Sequence, residues 1–204
     1  MGPDGFRYLP GYLAPGRQAL VLDDIRAVIV GAPLFAPTMP RTGRPFSVRM
    51  TNCGPLGWVS DRTGGYRYQP MHPLTGLPWP GMPASLLQIW SDVAGYSAPP
   101  EACLVNYYGP GAKMSAHRDE DEDDLAAPVV SVSLGDDAVF QIGGALRNGP
   151  KQRLLLRSGD VVVLGGAARQ AYHGIDRIIP GTSPLLPEGG RFNLTLRRVT
   201  MVPG

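Results

Sequence analysis

Apolar residues recur at helical spacing in only two places along the chain. Arg17 to Val30 (RQALVLDDIRAVIV) carries Leu20, Val21, Val28 and Ile29 on such a period, which predicts an early helix. Ala84 to Ala94 (ASLLQIWSDVA) predicts a second, entered directly after Pro83. Between them, residues 31–83 show no sustained period. Pro, Gly and aromatics crowd PFSVRMTNCGPLGW, GGYRYQPMHP and LPWPGMP. A loop region this long in a compact domain predicts a lid or a binding surface.

From about residue 102 the pattern changes to short β-prone runs: ACLVNYY, VVSVSL, AVFQIG, RLLLR, DVVVL, AYHGI and RFNLTLRRV. Gly, Asp, Asn and Pro separate them, as turns between strands require. Strands repeated at this spacing predict a mainly β fold with flanking helices, an antiparallel sandwich or barrel with a jelly roll as the leading choice. The length suits one domain over 1–204, with an N-terminal extension over 1–100 and a β core over 101–200. No internal repeat is visible.

Composition sharpens this picture. The 204 residues include 27 Gly and 22 Pro, about a quarter of the chain against a usual ~12%. That level approaches low-complexity disorder, yet 43% of residues are hydrophobic, which excludes a disordered chain. A helical bundle is excluded as well, because Gly and Pro cost about 1 and 3 kcal/mol in helix interiors. No run approaches the roughly 18 apolar residues of a membrane span. The start, MGPDGF, lacks the basic and apolar regions of a signal peptide, and Phe6 stands where a myristoylation signal needs Ser or Thr. Cys53 and Cys103 are far apart in sequence and form no metal or redox spacing. A soluble protein of the reducing cytoplasm is expected.

The net charge of +2 conceals an uneven distribution. Asp119 to Asp124 is a run of six acids, so 19 basic residues face only 11 acids elsewhere, a balance of +8. Seventeen of the bases are Arg, which clamps carboxylate and phosphate through two donors at once. The balance permits a polyanionic partner without demanding one. The acidic run predicts a solvated loop. It is no EF-hand, because Asp124 and Val130 stand where Gly and Glu are required.

Candidate chemistry concentrates in the β-rich half. In His117-Arg118-Asp119, residues two apart in an extended segment point to the same side, so His117 and Asp119 can share an ion. His173, in another strand-like run, can complete two His and one carboxylate on one face of an octahedron. That facial triad leaves positions open, as in non-haem Fe(II) oxygenases. A lone His-x-Asp is more often a surface turn, so the motif needs support. Support comes from RFNLTLR, where Arg191, Asn193, Thr195 and Arg197 alternate with Phe192, Leu194 and Leu196. Such a strand is either an edge strand with its polar face in water or a barrel strand gripping a dicarboxylate. Asn106 and Tyr108 also share one strand face just before the His-x-Asp motif.

Taken together, NYYGPGAKMSAHRDEDE, APVVSVSLG, AVFQIGG, RLLLRSGDVVVLGG, YHGI and RFNLTLR closely resemble the AlkB family of Fe(II)- and 2-oxoglutarate-dependent DNA-repair dioxygenases. The resemblance is strongest over about 102–198 and reaches upstream through MTNCGPLGW, GGYRY and LPWPGMP. It implies a double-stranded β-helix core, with about 31–83 as a nucleotide-recognition lid. By matching position it implies that His117, Asp119 and His173 bind Fe(II), and that Arg191 clamps the distal carboxylate of 2-oxoglutarate with help from Tyr108. Asn106, Asn193 and Arg197 would line the same pocket nearer the iron, with Arg197 among the catalytic residues. Trp58, Tyr66 and Tyr68 match lid aromatics, and Asp121 and Arg147 match substrate-side positions.

The implied activity is oxidative demethylation of bases such as 1-methyladenine and 3-methylcytosine in DNA, and in RNA as an extension. Single strands are the expected favoured form, and O2 and 2-oxoglutarate the co-substrates. A related dioxygenase acting on tRNA, protein or a small molecule is the alternative. A monomer is expected. One departure stands out: Glu120 occupies a position where the family's best-known member is basic, and Arg118 one where it carries an amide. Glu120 would repel phosphate, with Arg118 or Lys113 as compensation.

Overall fold

Among residues 2–202, which the computed structural model describes, twelve strands form two packed antiparallel sheets and a separate hairpin. The larger sheet has the spatial order β1 (Phe6–Leu9), β10 (Val161–Leu164), β7 (Val129–Gly135), β12 (Arg191–Arg197), β5 (Ala102–Tyr108) and β2 (Arg49–Cys53). The smaller runs β6 (Met114–His117), β11 (His173–Ile179), β8 (Asp137–Ile142) and β9 (Gln152–Leu156). This is the expected jelly-roll arrangement. The hairpin is β3 (Gly57–Asp61) with β4 (Gly65–Gln69).

Strand periodicity explains the layers. On β10, Val161 and Val163 join the cluster containing the helices, while Val162 and Leu164 turn inward toward Phe140, Leu156 and Ile175 of the smaller sheet. On β5, Cys103 and Val105 face the helices, so Asn106 and Tyr108 turn toward the interior between the sheets. The same alternation on β12 sends Leu194 and Leu196 to the helices and Asn193, Thr195 and Arg197 to the interior cavity. All seven residues of β12 are buried, because β7 and β5 flank it and both of its faces are covered. The edge-strand alternative is thereby excluded. A polar face enclosed in this way needs polar partners inside the fold.

Helix α1 (Pro15–Gly31) begins with Pro in its first turn, where the absent N–H costs nothing. It buries Val21, Leu22, Ile25 and Val28 against the larger sheet. Leu20, placed on the apolar stripe by sequence, is instead 65% exposed. Helix α2 (Ala84–Val93) buries Leu86, Ile89, Trp90 and Val93 beside it. No helix among the described residues is long and apolar enough to cross a membrane.

The segment 31–83 departs from the expectation of one long loop. It supplies β2 to the core sheet and the whole β3–β4 hairpin. Polar residues disguise β2 in the sequence, yet Thr51 and Asn52 are fully buried. The Asn52 amide donates to the Trp58 carbonyl at 3.0 Å and accepts from the Trp58 amide at 3.1 Å, so its side chain bridges β2 to β3. His72, the third histidine, anchors the following loop. Its Nε2 lies 2.8 Å from the Pro33 carbonyl, and its Nδ1 accepts from Leu74 and Thr75 amides at 3.2 Å each. Cys53 and Cys103, distant in sequence, are register partners across β2 and β5 and remain free thiols.

Candidate active site

Strand pairing assembles the triad. His117 ends β6 and lies opposite His173, the first residue of β11. Asp119 follows two residues beyond β6. Its carboxylate lies between the two rings, Oδ1 at 3.5 Å from His117 Nε2 and Oδ2 at 3.6 Å from His173 Nε2. The three ligand atoms lie within 4.8 Å of one another.

Three features show that these residues suit a divalent metal ion. Each imidazole holds Nδ1 at 3.0 Å from a backbone carbonyl two residues earlier, Ser115 for His117 and Ala171 for His173. Those carbonyls fix the proton on Nδ1 and leave the Nε2 lone pairs aimed at the site. Asp119 Oδ2 is buried with no hydrogen-bond partner, a costly state that a cation relieves. Burial alone would raise the Asp119 pKa, but Arg197 and the neighbouring histidines hold it well below the ordinary value. Burial also pushes His173 down to about 4, so its ring is a neutral ligand.

The acidic run is not the solvated loop expected from composition. Asp119, Glu122 and Asp124 are buried, while Glu120, Asp121 and Asp123 are exposed. Asp124 accepts from Tyr96 at 2.7 Å and from the Ala126 and Ala127 amides, which ties down the end of the run. Asp119 and Glu122 are matched by Arg197 and Arg169, and charge pairing inside the fold is invisible to a composition argument. Arg169, in the short 3-10 helix Gly166–Gln170, carried no sequence signal as a site residue, and neither did Glu122.

The inward face of β12 meets that of β5 in register, Arg191 opposite Tyr108 and Asn193 opposite Asn106. Asn193 donates to Ser131 Oγ at 2.7 Å and accepts from Thr195 at 2.9 Å. Arg191 is fully buried and bonds only neutral acceptors, the Asp136 carbonyl at 3.1 Å and the Ser133 hydroxyl. Its Nε has no partner. Desolvation pushes this guanidinium down to about 10, with Tyr108 offsetting part of the effect. The Tyr108 hydroxyl has only the Met114 sulfur at 3.7 Å, a weak acceptor. A buried cation without an anionic partner and a phenol without a strong acceptor offer donors that suit a carboxylate. Arg197 lines the cavity near the triad, and its guanidinium is committed to Asp119 Oδ1 at 2.8 Å and Glu122 Oε1 at 2.7 Å.

A cavity of about 720 Å³ connects these groups to the surface. Asn106, Tyr108 and Asn193 line its walls with the triad, and Trp58, Tyr66, Asp121 and Arg147 lie toward its mouth. Arg191 is not itself in the wall, and reaches the cavity region through its partner Tyr108. Trp58 stacks on Tyr66 at 5.6 Å between centroids and 20° between planes, and its Nε1 donates to Asp121 at 2.7 Å. Tyr68 does not join them. It turns away from the cavity wall, donates to Glu122 and accepts from Arg197 at 3.1 Å. Glu120 is paired with Arg118 at 2.7 Å, and Arg118 also lies over the Tyr172 ring. Arg118 and Lys113 both line the cavity, so positive charge stands beside Glu120.

One glycine controls the spacing of the metal ligands. A Cβ on Gly174, next to His173, would fall 2.4 Å from the Met114 carbonyl on β6. Gly174→Ala is therefore expected to force β6 away from β11 and destabilise the fold by about 1–3 kcal/mol. Calorimetric Mn(II) titration should show weakened binding alongside the lower melting temperature. Unchanged affinity would mean that the approach of these strands does not set the triad.

Two His and one carboxylate, set at the rim of a jelly roll with a buried cation deeper inside, define a non-haem Fe(II) oxygenase that uses a keto-acid co-substrate. The profile of the 2OG-Fe(II) oxygenase superfamily matches residues 5–197. The chain is 50% identical over 194 residues to the "Alpha-ketoglutarate-dependent dioxygenase AlkB homolog" of Caulobacter vibrioides (strain NA1000 / CB15N), covering 95% of this chain and 87% of that one. It is also 50% identical over 182 residues to "Alpha-ketoglutarate-dependent dioxygenase AlkB" of Escherichia coli (strain K12), covering 87% and 83%. Among solved structures, OsALKBH1 superposes with a TM-score of 0.80 at 29% identity, covering 95% of this chain and 96% of that one. The protein belongs to the AlkB family of Fe(II)- and 2-oxoglutarate-dependent dioxygenases.

Proposed function

We propose that this dioxygenase removes N-alkyl groups from nucleobases such as 1-methyladenine and 3-methylcytosine, repairing alkylated DNA directly. The observation that carries this reading is the cavity wall, where a stacked Trp58–Tyr66 pair and the Asp121 carboxylate share one cavity with the His-Asp-His triad. An N1-methylated adenine or N3-methylated cytosine carries positive charge. An aromatic face and a carboxylate are the groups that attract such a ring.

In this reading His117, Asp119 and His173 hold Fe(II), and Arg191 with Tyr108 receives the distal carboxylate of 2-oxoglutarate. Asn106 and Asn193 orient the end nearer the metal. Iron bound there supplies O2 activation coupled to decarboxylation of 2-oxoglutarate to succinate and CO2, and the hydroxylated N-methyl group leaves as formaldehyde. The protein's own part is orientation and exclusion of water. The His173 ring stays neutral, each Nδ1 keeps its proton and donates it to a backbone carbonyl, and Phe140, Leu156, Val162 and Ile175 give the cavity an apolar wall.

Reaching the methyl carbon requires the base to leave its stack, which costs least in single strands or at damaged pairs. Single-stranded DNA is thus the proposed favoured substrate, with RNA as an extension. Arg147, Arg118 and Lys113 around the cavity would meet phosphates. A monomer in the cytoplasm is proposed.

Mass spectrometry of 1-methyladenine and 3-methylcytosine oligonucleotides with Fe(II), 2-oxoglutarate and O2 tests the reading. Loss of the methyl mass is expected. Retention on every oligonucleotide, with 2-oxoglutarate turnover intact, would redirect the search to other substrates. Trp58→Ala should raise KM for the oligonucleotide by the equivalent of about 1–3 kcal/mol, the usual value of one aromatic stack. The KM for 2-oxoglutarate should stay unchanged, since Trp58 lies at the mouth.

A further inference from the structure

We propose that Glu122 is a positioning residue that locks Asp119 in its ligating orientation and ties the β3–β4 hairpin to the metal centre. The proposal rests on the assignment of the triad as the metal site. Its basis is the set of groups that converge on one carboxylate three residues beyond Asp119.

The Glu122 side chain is completely buried, and both of its oxygens are used. Oε1 accepts from Arg197 Nη1 at 2.7 Å and from the Tyr68 hydroxyl. Oε2 accepts from Arg169 Nη2 at 2.8 Å. Both arginines also hold Asp119, at different points. Arg197 Nη2 reaches its side-chain Oδ1 at 2.8 Å, while Arg169 Nη1 reaches its main-chain carbonyl at 2.6 Å. Asp119 is therefore gripped from two sides by cations that share a single counter-ion. With Oδ1 taken by Arg197, Oδ2 is the oxygen left without a partner beside His173.

Charge explains why the counter-ion is needed. Two buried guanidinium groups facing Asp119 alone would leave a surplus positive charge beside a site built for a divalent cation. Glu122 balances the pair and leaves the cluster neutral before metal arrives. A buried charge that loses its partner is costly, so the cluster holds together as a unit. Groups that orient metal ligands in this way commonly set affinity by 10–100-fold.

Tyr68 adds the connection to the hairpin. It stands on β4 directly opposite Trp58 on β3, and its hydroxyl bonds both Glu122 and Arg197. The hairpin that carries the Trp58–Tyr66 stack is thus anchored to the groups that aim Asp119. Metal binding and order in the hairpin should be coupled through this hydroxyl.

The experiment uses the full chain with Mn(II) alone, measured by calorimetry and by hydrogen exchange. The wild-type protein is expected to bind Mn(II) and to slow amide exchange over residues 57–69 on doing so. Glu122→Gln should weaken Mn(II) binding about tenfold or more and remove that slowing. Tyr68→Phe retains every charge, and should keep Mn(II) affinity within about threefold while abolishing the slowing. A folded Glu122→Gln protein with wild-type affinity would overturn the proposal. So would metal-dependent slowing that survives in Tyr68→Phe, and this second variant decides the matter if Glu122→Gln does not fold. Wild-type protein that binds no Mn(II) would instead overturn the metal assignment itself.

Discussion

Exchange of His117 for alanine is expected to abolish succinate formation and base demethylation together. The ring supplies one of three ligand atoms within 4.8 Å, and no other histidine lies near enough to substitute, since His72 is committed to its own loop. A bound metal ion contributes several kcal/mol of transition-state stabilisation, so its loss corresponds to roughly a thousandfold in rate or more. Both products must fall in parallel, because both depend on one centre. Succinate and formaldehyde assays on the same preparation provide the check. Residual demethylation above a tenth of wild type would place the metal elsewhere. The fold should survive the change, because the side chain of His117 is about a third exposed at the end of a strand.

The second large effect comes from Arg191, and it separates binding from stability. Arg191→Met should raise the dissociation constant for 2-oxoglutarate about 100-fold, the equivalent of roughly 3 kcal/mol for a desolvated charge pair. In the ligand-free protein the same change should leave the melting temperature unchanged or raise it. The physical reason is that Arg191 is fully buried yet paired only with neutral acceptors, and burial has already pushed it down to about 10. An apolar side chain of similar length removes that desolvation cost. The Asp136 carbonyl and the Ser133 hydroxyl lose a donor in exchange, at about 1–3 kcal/mol each, which that saving offsets. Calorimetric titration and differential scanning calorimetry would decide the case. A large fall in ligand-free stability with normal 2-oxoglutarate affinity would make Arg191 a structural residue instead.

Much of the catalytic core was legible along the chain. The alternation Arg191-Asn193-Thr195-Arg197 against Phe192-Leu194-Leu196 is a strand signal, and the observed β12 spans those same residues. His117 and Asp119 were readable as one unit because two residues of extended chain share a side, and His173 because it lay in a β-prone run. The recognition region was less legible. Its strands β2, β3 and β4 are short, and β2 is polar, since Asn52 uses its side chain to bridge to Trp58. Tyr68 shows the limit of pattern matching. It shares a strand face with Tyr66, yet it turns to Glu122 and Arg197 while Tyr66 lines the cavity.

By itself the sequence determined the chemistry available: the ligand types, the strand on which the cations sit, and the family to which both belong. It also determined where regular helices could not form, because Gly and Pro occupy so much of residues 31–83. Only the tertiary structure decided which charges are buried and with whom. The run Asp119 to Asp124 reads as water-facing by composition, yet Arg169 and Arg197 arrive from distant segments to hold Asp119 and Glu122, and Tyr96 with two backbone amides takes Asp124. The same holds for β12, whose polar face could equally have met water until β5 and β7 flanked it. Local pattern reports how a side chain is presented, whereas desolvation and pairing depend on elements that the chain brings together only when folded.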